Sequence, residues 1–402
     1  MPKLIQINIT ANWGSHGKIA EDIGKCVLAH GWESYIAYGR WANPSESQLI
    51  RIGNLWDERA HAFQSRLLDN HGLASKHATR KLIDAIKKIS PDIIHLHNIH
   101  GYYLNYPLLF DFLAQYGKPV VWTLHDCWPL TGHCAYFTFD KCEKWKKGCF
   151  ACMNKTEYPK RYLFDRSERN YSYKKRHFTS VPRMTLVPVS DWLNNIVGES
   201  FLKYLKHKTI HNGIDLEVFK PSETYKDMFP GNKVVLGVSS VWDRRKGMED
   251  FLKLRGLLDS AYTIVLIGLN EKQIKLLPEG VVGIKRTNNV QELVAYYSRA
   301  DVFVNSTYED NFPTTNIEAL ACGTPVITYN TGGSPEAIDK QTGEVIPVGD
   351  VELLANRVNN MCNDYNYADL SKRCRARAEK LFNKNDRYKE YYYLYQQVLE
   401  SK

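Results

Sequence analysis

The sequence has no apolar run long enough to cross a bilayer. Its longest ones, at 234–238 and 262–267, are strand-length, far short of the roughly 18–20 residues that a spanning helix needs. Low-complexity tracts are missing too. A balance of 44% hydrophobic and 24% charged residues excludes a disordered or collagen-like chain. No Asp-X-Asp occurs anywhere, so a carboxylate-held catalytic metal is not indicated. The opening residues Met1-Pro2-Lys3-Leu4-Ile5-Gln6 form no charged leader followed by an apolar stretch and a cleavage site. A soluble chain kept in a reducing cytoplasm is therefore expected. The odd total of nine cysteines argues against a complete disulfide framework.

What is present is alternation. The 402 residues are enough for two or three domains, and short β-rich apolar runs alternate with helical patterns. In the first half the runs fall at 4–9, 34–38, 93–96, 120–124 and 185–189, with helical spacing at 18–30 and 76–88. In the second half they fall at 234–238, 263–267, 281–284, 302–304 and 326–328. Such alternation predicts parallel sheets with crossover helices: two doubly wound domains facing a cleft. The expected boundaries are 1–211, with an insertion at 126–182 that breaks the rhythm, then 212–384. A tyrosine-rich helical segment closes the chain from 385 to 402. Asn212-Gly213 marks the turn between the halves.

The most informative segment runs from Asp310 through Asn311, Phe312, Pro313, Thr314, Thr315 and Asn316 to Glu318. It follows a strand, and Pro313 suits the first turn of a helix. Free N–H groups of that turn can receive a phosphate while Asp310 and Glu318 bind hydroxyls nearby. Upstream, Arg244-Arg245-Lys246-Gly247 lies past a strand's carboxyl end, where cations can neutralise a diphosphate leaving group. The bland reading is an exposed basic turn. In the first half, Gly14 and Gly17 flank the start of a helix, although this loop matches neither the dinucleotide nor the Walker pattern. His125 stands at a strand end. His95, His97 and His100 follow another strand and are weaker, acceptor-side candidates.

The insertion carries its own signals. Between 134 and 183 there are 13 Lys and Arg against 5 Asp and Glu, a local +8 out of the chain's +9. Tyr136, Phe137, Trp145, Tyr158, Tyr162, Phe164, Tyr171 and Tyr173 are interleaved with these charges. Either this is a solvated basic face, or it meets something anionic such as a membrane surface, a lipid phosphate or nucleic acid. Five cysteines fall between 127 and 152. Cys134, Cys142, Cys149 and Cys152 can close a tetrahedron around a structural zinc, with Cys127 spare and His133 as a substitute ligand. The competing reading is a set of free or buried thiols. Cys26, Cys322, Cys362 and Cys374 lie in helical patterns and read as packing residues.

Taken together, these motifs resemble the retaining nucleotide-sugar glycosyltransferases of family four, which have the GT-B fold. The resemblance rests on the Gly14–Gly17 loop, His125, Asn212-Gly213-Ile214-Asp215, Arg245-Lys246-Gly247, the acid pair with Gly323-Thr324-Pro325-Val326, and Gly332-Gly333-Ser334-Pro335-Glu336. The stretch His125-Asp126-Cys127-Trp128-Pro129-Leu130-Thr131-Gly132-His133-Cys134 further resembles the branch that builds bacterial capsule, exopolysaccharide and O-antigen. The resemblance implies that Arg245 and Lys246 grip the donor diphosphate, Glu318 the ribose and Asp310 a hydroxyl of the transferred sugar. Gly14 and Gly17 would approach the distal phosphate and the acceptor, and His125 would lie near the anomeric carbon. Two positions depart from the family pattern. Asp310 stands where Glu is usual, and Ser240 where many members place a second phosphate-binding Arg, for which Arg244 is the substitute. In this fold the last helix crosses back to the first domain.

The expected donor is a nucleoside diphosphate sugar, a UDP-sugar foremost, with no catalytic metal and with base contacts around 284–287. The expected acceptor is a polyprenyl-diphosphate-linked saccharide at an anionic membrane surface, with nucleic acid not a partner. The rival readings are a GT-B sugar-nucleotide epimerase and a nucleic-acid-binding protein built on the basic insertion. Asp310 as a covalent nucleophile is the mechanistic rival to assistance by the departing diphosphate.

Overall fold

The computed structural model describes residues 1–224, 228–363 and 366–401. They form two α/β units, one of Met1–His211 with Arg387–Lys402, the other of Asn212–Asp386. In the first, β1 (Lys3–Asn8), β2 (Glu33–Tyr38), β3 (Gln48–Arg51), β4 (Ile93–Leu96), β5 (Val120–Leu124), β6 (Met184–Pro188) and β7 (Lys206–His207) make one sheet in the order β3-β2-β1-β4-β5-β6-β7. In the second, β8 (Lys233–Val238), β9 (Tyr262–Ile267), β10 (Val281–Ile284), β11 (Val302–Asn305), β12 (Val326–Tyr329) and β13 (Gly343–Ile346) run in the order β10-β9-β8-β11-β12-β13. Every strand pairing is parallel.

The central strands are apolar on both faces because helices cover both sides of a parallel sheet. All of β5, β6 and β9 is buried. The edge strands read differently. In β3, Gln48-Leu49-Ile50-Arg51 is largely exposed, and β7 is only Lys206–His207. Polar, short edges resist pairing with other chains, and the same polarity hides them from a search for apolar runs. β3, β7 and β13 are the strands that the hydrophobic pattern does not predict.

In the first unit, α1 (Gly14–Ala29), α2 (Leu55–Leu68), α3 (Lys76–Ile89), α4 (Tyr106–Tyr116), α5 (Ser167–Phe178) and α6 (Asp191–Glu199) pack on the sheet. The second has α7 (Met248–Leu257), α8 (Glu271–Ile274), α9 (Val290–Arg299), α10 (Thr314–Ala321), α11 (Val351–Asn363) and α12 (Tyr367–Phe382). The last helix, α13 (Lys384–Glu400), belongs mostly to the first unit. Its Tyr388, Tyr391, Leu394 and Tyr395 pack with Ile19, Ile23, Val27 and Trp32, each such side chain contributing roughly 1.5–3 kcal/mol by burial. Where the chain enters and leaves the second unit, its two segments pair with each other. Ile214 N–H donates to the Phe382 carbonyl at 2.7 Å, and Lys384 N–H to that of Ile214 at 3.0 Å.

The aromatic side chains of the insertion divide between core and surface, while most of its cations are exposed or half-buried. Between 127 and 166 the only regular elements among the described residues are the single 3-10 turns Trp128–Leu130 and Lys144–Lys146, yet this stretch feeds the core. Trp128, Phe137 and Trp145 are buried in the main apolar cluster of the first unit, and Tyr171 is buried as well. Tyr162, Phe164 and Tyr173 remain exposed.

Candidate active site

The second sheet grows outward from β8 through β9 to β10, then resumes on the other side of β8 with β11. Loops leaving β8 and β11 therefore diverge, and such a switch point is where open α/β sheets bind ligands. Two predicted residues meet here. Lys246, from the β8 loop, places its Nζ 2.5 Å from Oδ2 of Asp310, from the β11 loop, with the side chains 20% and 18% exposed. The other carboxylate oxygen of Asp310 accepts from the Asn311 N–H at 2.9 Å. The Asp243 side chain closes the turn by accepting the Lys246 N–H at 3.1 Å. Arg245 ties the same two loops, its Nη1 donating to the Glu309 carbonyl at 3.0 Å while its own carbonyl accepts from the Tyr308 N–H at 2.8 Å. Ser240 and Arg244 are both exposed on the β8 loop.

A brace that sequence reasoning missed holds this region from below. Asp250, 2% exposed on α7, accepts the hydroxyls of both Tyr308 and Tyr329 at 2.8 Å. Burial, and then this bond, push the Tyr308 hydroxyl up to about 12. Nothing in the local pattern around Asp250 marks it, because its partners lie 58 and 79 residues away. Gly332 is required by close approach: a Cβ there would stand 1.7 Å from the Asp310 carbonyl oxygen. Gly333 N–H donates to the Asn311 carbonyl at 2.8 Å, so the loop after β12 lies directly against the acid-rich loop.

Asn311, Phe312 and Pro313 are buried, and Thr314 and Thr315, half-buried, open α10. Pro313 at the N-cap supplies no capping side chain. First-turn N–H groups left so are donors for an anion. Further into α10, Glu318 is half-buried and its Oε2 accepts the Tyr297 hydroxyl at 2.9 Å. Tyr297, fully buried on α9, is a second residue that no sequence signal exposed. The segment 284–287 lies at the carboxyl end of β10 and is half-buried or exposed.

The first sheet repeats the device, with its switch between β1 and β4. Gly14, exposed and with φ +66°, opens α1; Gly17 is buried, and a Cβ on it would meet Thr10 Oγ1 at 2.6 Å. Gly17 thus lets α1 pack closely on the preceding loop. Beyond β4 and β5 the histidines form a relay whose tautomers follow from its ends. Gln6 donates its amide to the Ala20 carbonyl at 2.7 Å, which turns Oε1 toward His97 Nε2 at 3.0 Å. His97 Nε2 then carries the proton, so Nδ1 accepts from His125 Nε2 at 3.2 Å. His125 is left neutral with its Nδ1 lone pair unshared in this relay. Burial first, then the neighbouring histidines, hold His97 and His125 well below the ordinary 6.5.

His95 has a structural task instead. Its Nδ1 lies 2.6 Å from the Tyr395 hydroxyl and its Nε2 2.8 Å from Thr123 Oγ1, which donates to Tyr391 at 3.0 Å. It fastens α13 to the sheet. His100 bonds Asp126 at 2.8 Å and the Tyr158 hydroxyl at 2.9 Å, which anchors the insertion.

None of the nine cysteines, all of them among the described residues, forms a disulfide, and Cys322, Cys362 and Cys374 are buried as packing residues. Cys134, Cys142, Cys149 and Cys152 line one cavity of about 270 Å³ together with His133. Among the described residues no three of these ligand atoms lie within 4.8 Å of one another, so the thiols surround a space rather than close on a point.

Two doubly wound parallel units of seven and six strands are the GT-B architecture of glycosyltransferases. The chain belongs to glycosyltransferase family 4: residues 17–218 match the model described as "Glycosyltransferase Family 4", and residues 232–364 that of "Glycosyl transferases group 1". It is an enzyme that transfers a glycosyl group from a nucleotide sugar. WcaC of Escherichia coli (strain K12), whose name assigns it to colanic acid biosynthesis as a glycosyl transferase, is 24% identical over 93% of this chain and 95% of its own length. "Capsular polysaccharide biosynthesis glycosyltransferase CapM" of Staphylococcus aureus is 26% identical over 43% of this chain and 49% of its own length. Among solved structures, sucrose-phosphate synthase from Thermosynechococcus elongatus superposes with a TM-score of 0.74 at 19% identity over the whole of both chains. Anabaena Alr3699/HepE in complex with UDP does so with 0.69 at 14% identity, over 99% of this chain and all of its own.

Proposed function

We propose that this protein moves a sugar from a UDP-sugar, with retention of configuration, to a hydroxyl of a growing, lipid-linked surface polysaccharide. The observation that carries the reading is the Lys246–Asp310 pair at the switch point between β8 and β11, beside the uncapped start of α10. Lys246 has three N–H donors and spends one on Asp310. The remaining two, with Arg245, supply the positive charge a departing diphosphate needs. Asp310 takes a hydroxyl of the transferred sugar and Glu318, oriented by Tyr297, the ribose. The bond from the anomeric carbon to the diphosphate oxygen breaks, and the acceptor oxygen bonds that carbon on the same face. The acceptor's proton passes to a phosphate oxygen of the leaving group. The first unit contributes acceptor-side groups, His125 foremost as a neutral ring.

The choice of UDP is supported by the complexes of HepE with UDP and with UDP-glucose, and polysaccharide as product by the names of WcaC and CapM. Membrane contact is supported by exposed Trp56 and Phe63 on α2 and exposed Tyr162, Leu163 and Phe164, among the cations of the insertion. Each basic residue near an anionic surface adds about 1 kcal/mol of attraction. The test is a panel of nucleotide sugars assayed for binding and for transfer to a polyprenyl-diphosphate saccharide, with and without anionic liposomes. UDP-sugar turnover that survives EDTA, and salt-sensitive sedimentation with liposomes, are the expected results. Isomerisation of a donor incubated alone would overturn the transferase reading, and sedimentation indifferent to anionic lipid would overturn the membrane one.

A further inference from the structure

The insertion contains a cavity that the transfer chemistry does not use. Cys134, Cys142, Cys149 and Cys152 all belong to an irregular segment, yet all four line the same space of about 270 Å³. His133 lines it too, and its geometry is that of a prepared ligand. The ring is 3% exposed, and Nδ1 lies 2.7 Å from Oδ1 of Asp69, itself 1% exposed. Nδ1 therefore carries the proton, and Nε2, buried and without a hydrogen-bond partner, presents a bare lone pair. A carboxylate holding the far nitrogen of an imidazole is the usual support of a metal-binding histidine.

Two further contacts suit a charged thiolate centre. The Gly132 N–H donates to Cys149 Sγ at 3.1 Å. Lys174 is 1% exposed, with its ammonium 2.6 Å from the Trp128 carbonyl and 3.5 Å above the Trp128 ring. No carboxylate among the described residues lies within ion-pairing distance of it. Burying an ammonium this way is costly unless negative charge is near. A zinc ion with four thiolates has a net charge of −2, and one with three thiolates and an imidazole −1. Either compensates Lys174.

We propose that this cavity binds one structural zinc ion through Cys142, Cys149 and Cys152, with Cys134 or the adjacent His133 as the fourth ligand. Binding expels one proton per thiol into solvent and draws the sulfurs to about 2.3 Å from the metal. The ion pins residues 127–166, which have no other regular framework, against Asp69 and α5. Its role is structural, with no part in sugar transfer.

The test uses the full chain purified without chelators. Elemental analysis should give about one zinc per chain. Cys149→Ser combined with Cys152→Ser should reduce it more than tenfold and open the insertion to protease, whereas Cys26→Ser on α1 should leave it unchanged. Cobalt substitution of the wild-type protein should give the intense sulfur-to-metal absorption of three or four thiolates, which also decides between Cys134 and His133. This arm stands if the double variant does not fold. Nine titratable thiols without metal in a folded preparation would overturn the site, as would zinc retained by the double variant or a cobalt spectrum with fewer than three thiolates.

Discussion

The two units use one topological device for opposite chemistry. At the switch point of the second sheet the side chains are ionised and partly wet: Lys246 against Asp310, with Arg245 beside them. At that of the first sheet they are neutral and drier, a run of His97 and His125 fixed by Gln6 and deprived of charge by burial. Charge survives in the second unit because loops, rather than strands, present it to solvent. In the first unit the imidazoles stand close to β4 and β5, where desolvation outweighs protonation. A site that must hold a diphosphate needs the former. In the proposed reaction, neutral rings suit a group that meets acceptor hydroxyls.

The sharpest way to break this contrast is to discharge the second unit. Lys246→Ala should reduce kcat/KM for the nucleotide sugar by about 10²–10³, the loss typical of one preorganised charge contact. Thermal unfolding should barely move, since the pair is partly exposed. Wild-type turnover by this variant would remove the charged site from the argument. Next in size is the support beneath it. Asp250→Ala strands two tyrosine hydroxyls, each costing about 1–3 kcal/mol when left without a partner, and the denaturant midpoint should fall accordingly. A midpoint within error of wild type would show that Tyr308 and Tyr329 find other partners.

The unit that holds the neutral imidazoles should be the one that fails in acid. His61 is lowered by burial to about 3, and His71, His95 and His97 also lie well below 6.5. The unfolded chain takes up these protons near pH 6.5 while the folded one refuses them. Stability is therefore complete above 6.5 and is lost as pH falls toward the folded values, by up to about 1.4 kcal/mol per group per pH unit. Urea midpoints that stay level between pH 7.5 and 5.5 would contradict the assignment of neutral rings. The smallest expected effect is that of Tyr395→Phe. Losing its bond to His95 should cost about 1–2 kcal/mol and leave donor affinity unchanged. Unchanged stability in that variant would mean that α13 is held by apolar burial alone.

Much of the proposed donor side was legible because it is written locally. Arg245-Lys246-Gly247 and Asp310 through Glu318 are contiguous segments, and a strand followed by a loop and a helix carries its own signals. Asp250 and Tyr297 were not legible. Each acts through a hydroxyl or carboxylate many residues away, and neither stands in a distinctive neighbourhood. The aromatic residues of the insertion show the same limit from the other side. Their spacing among lysines and arginines suggested a basic face, yet Phe137 and Trp145 turn inward onto an apolar cluster assembled from β5, α4 and α5. Composition records which side chains are available, whereas orientation depends on what they pack against.

The sequence by itself determined the two parallel sheets, since buried central strands must be apolar on both faces and crossover helices must separate them. It also determined the placement of cations and acids at strand ends, because those loops are short and contiguous. Only the tertiary structure decided that Lys246 bonds Asp310 across 64 residues, that Gly17 packs against Thr10, and that α13 is fastened to β4 and β5 through His95 and Thr123. Such contacts join segments by a few polar atoms each. Their energy is too small and too directional to leave a periodic trace in the chain, and it is realised only once burial has brought the partners together.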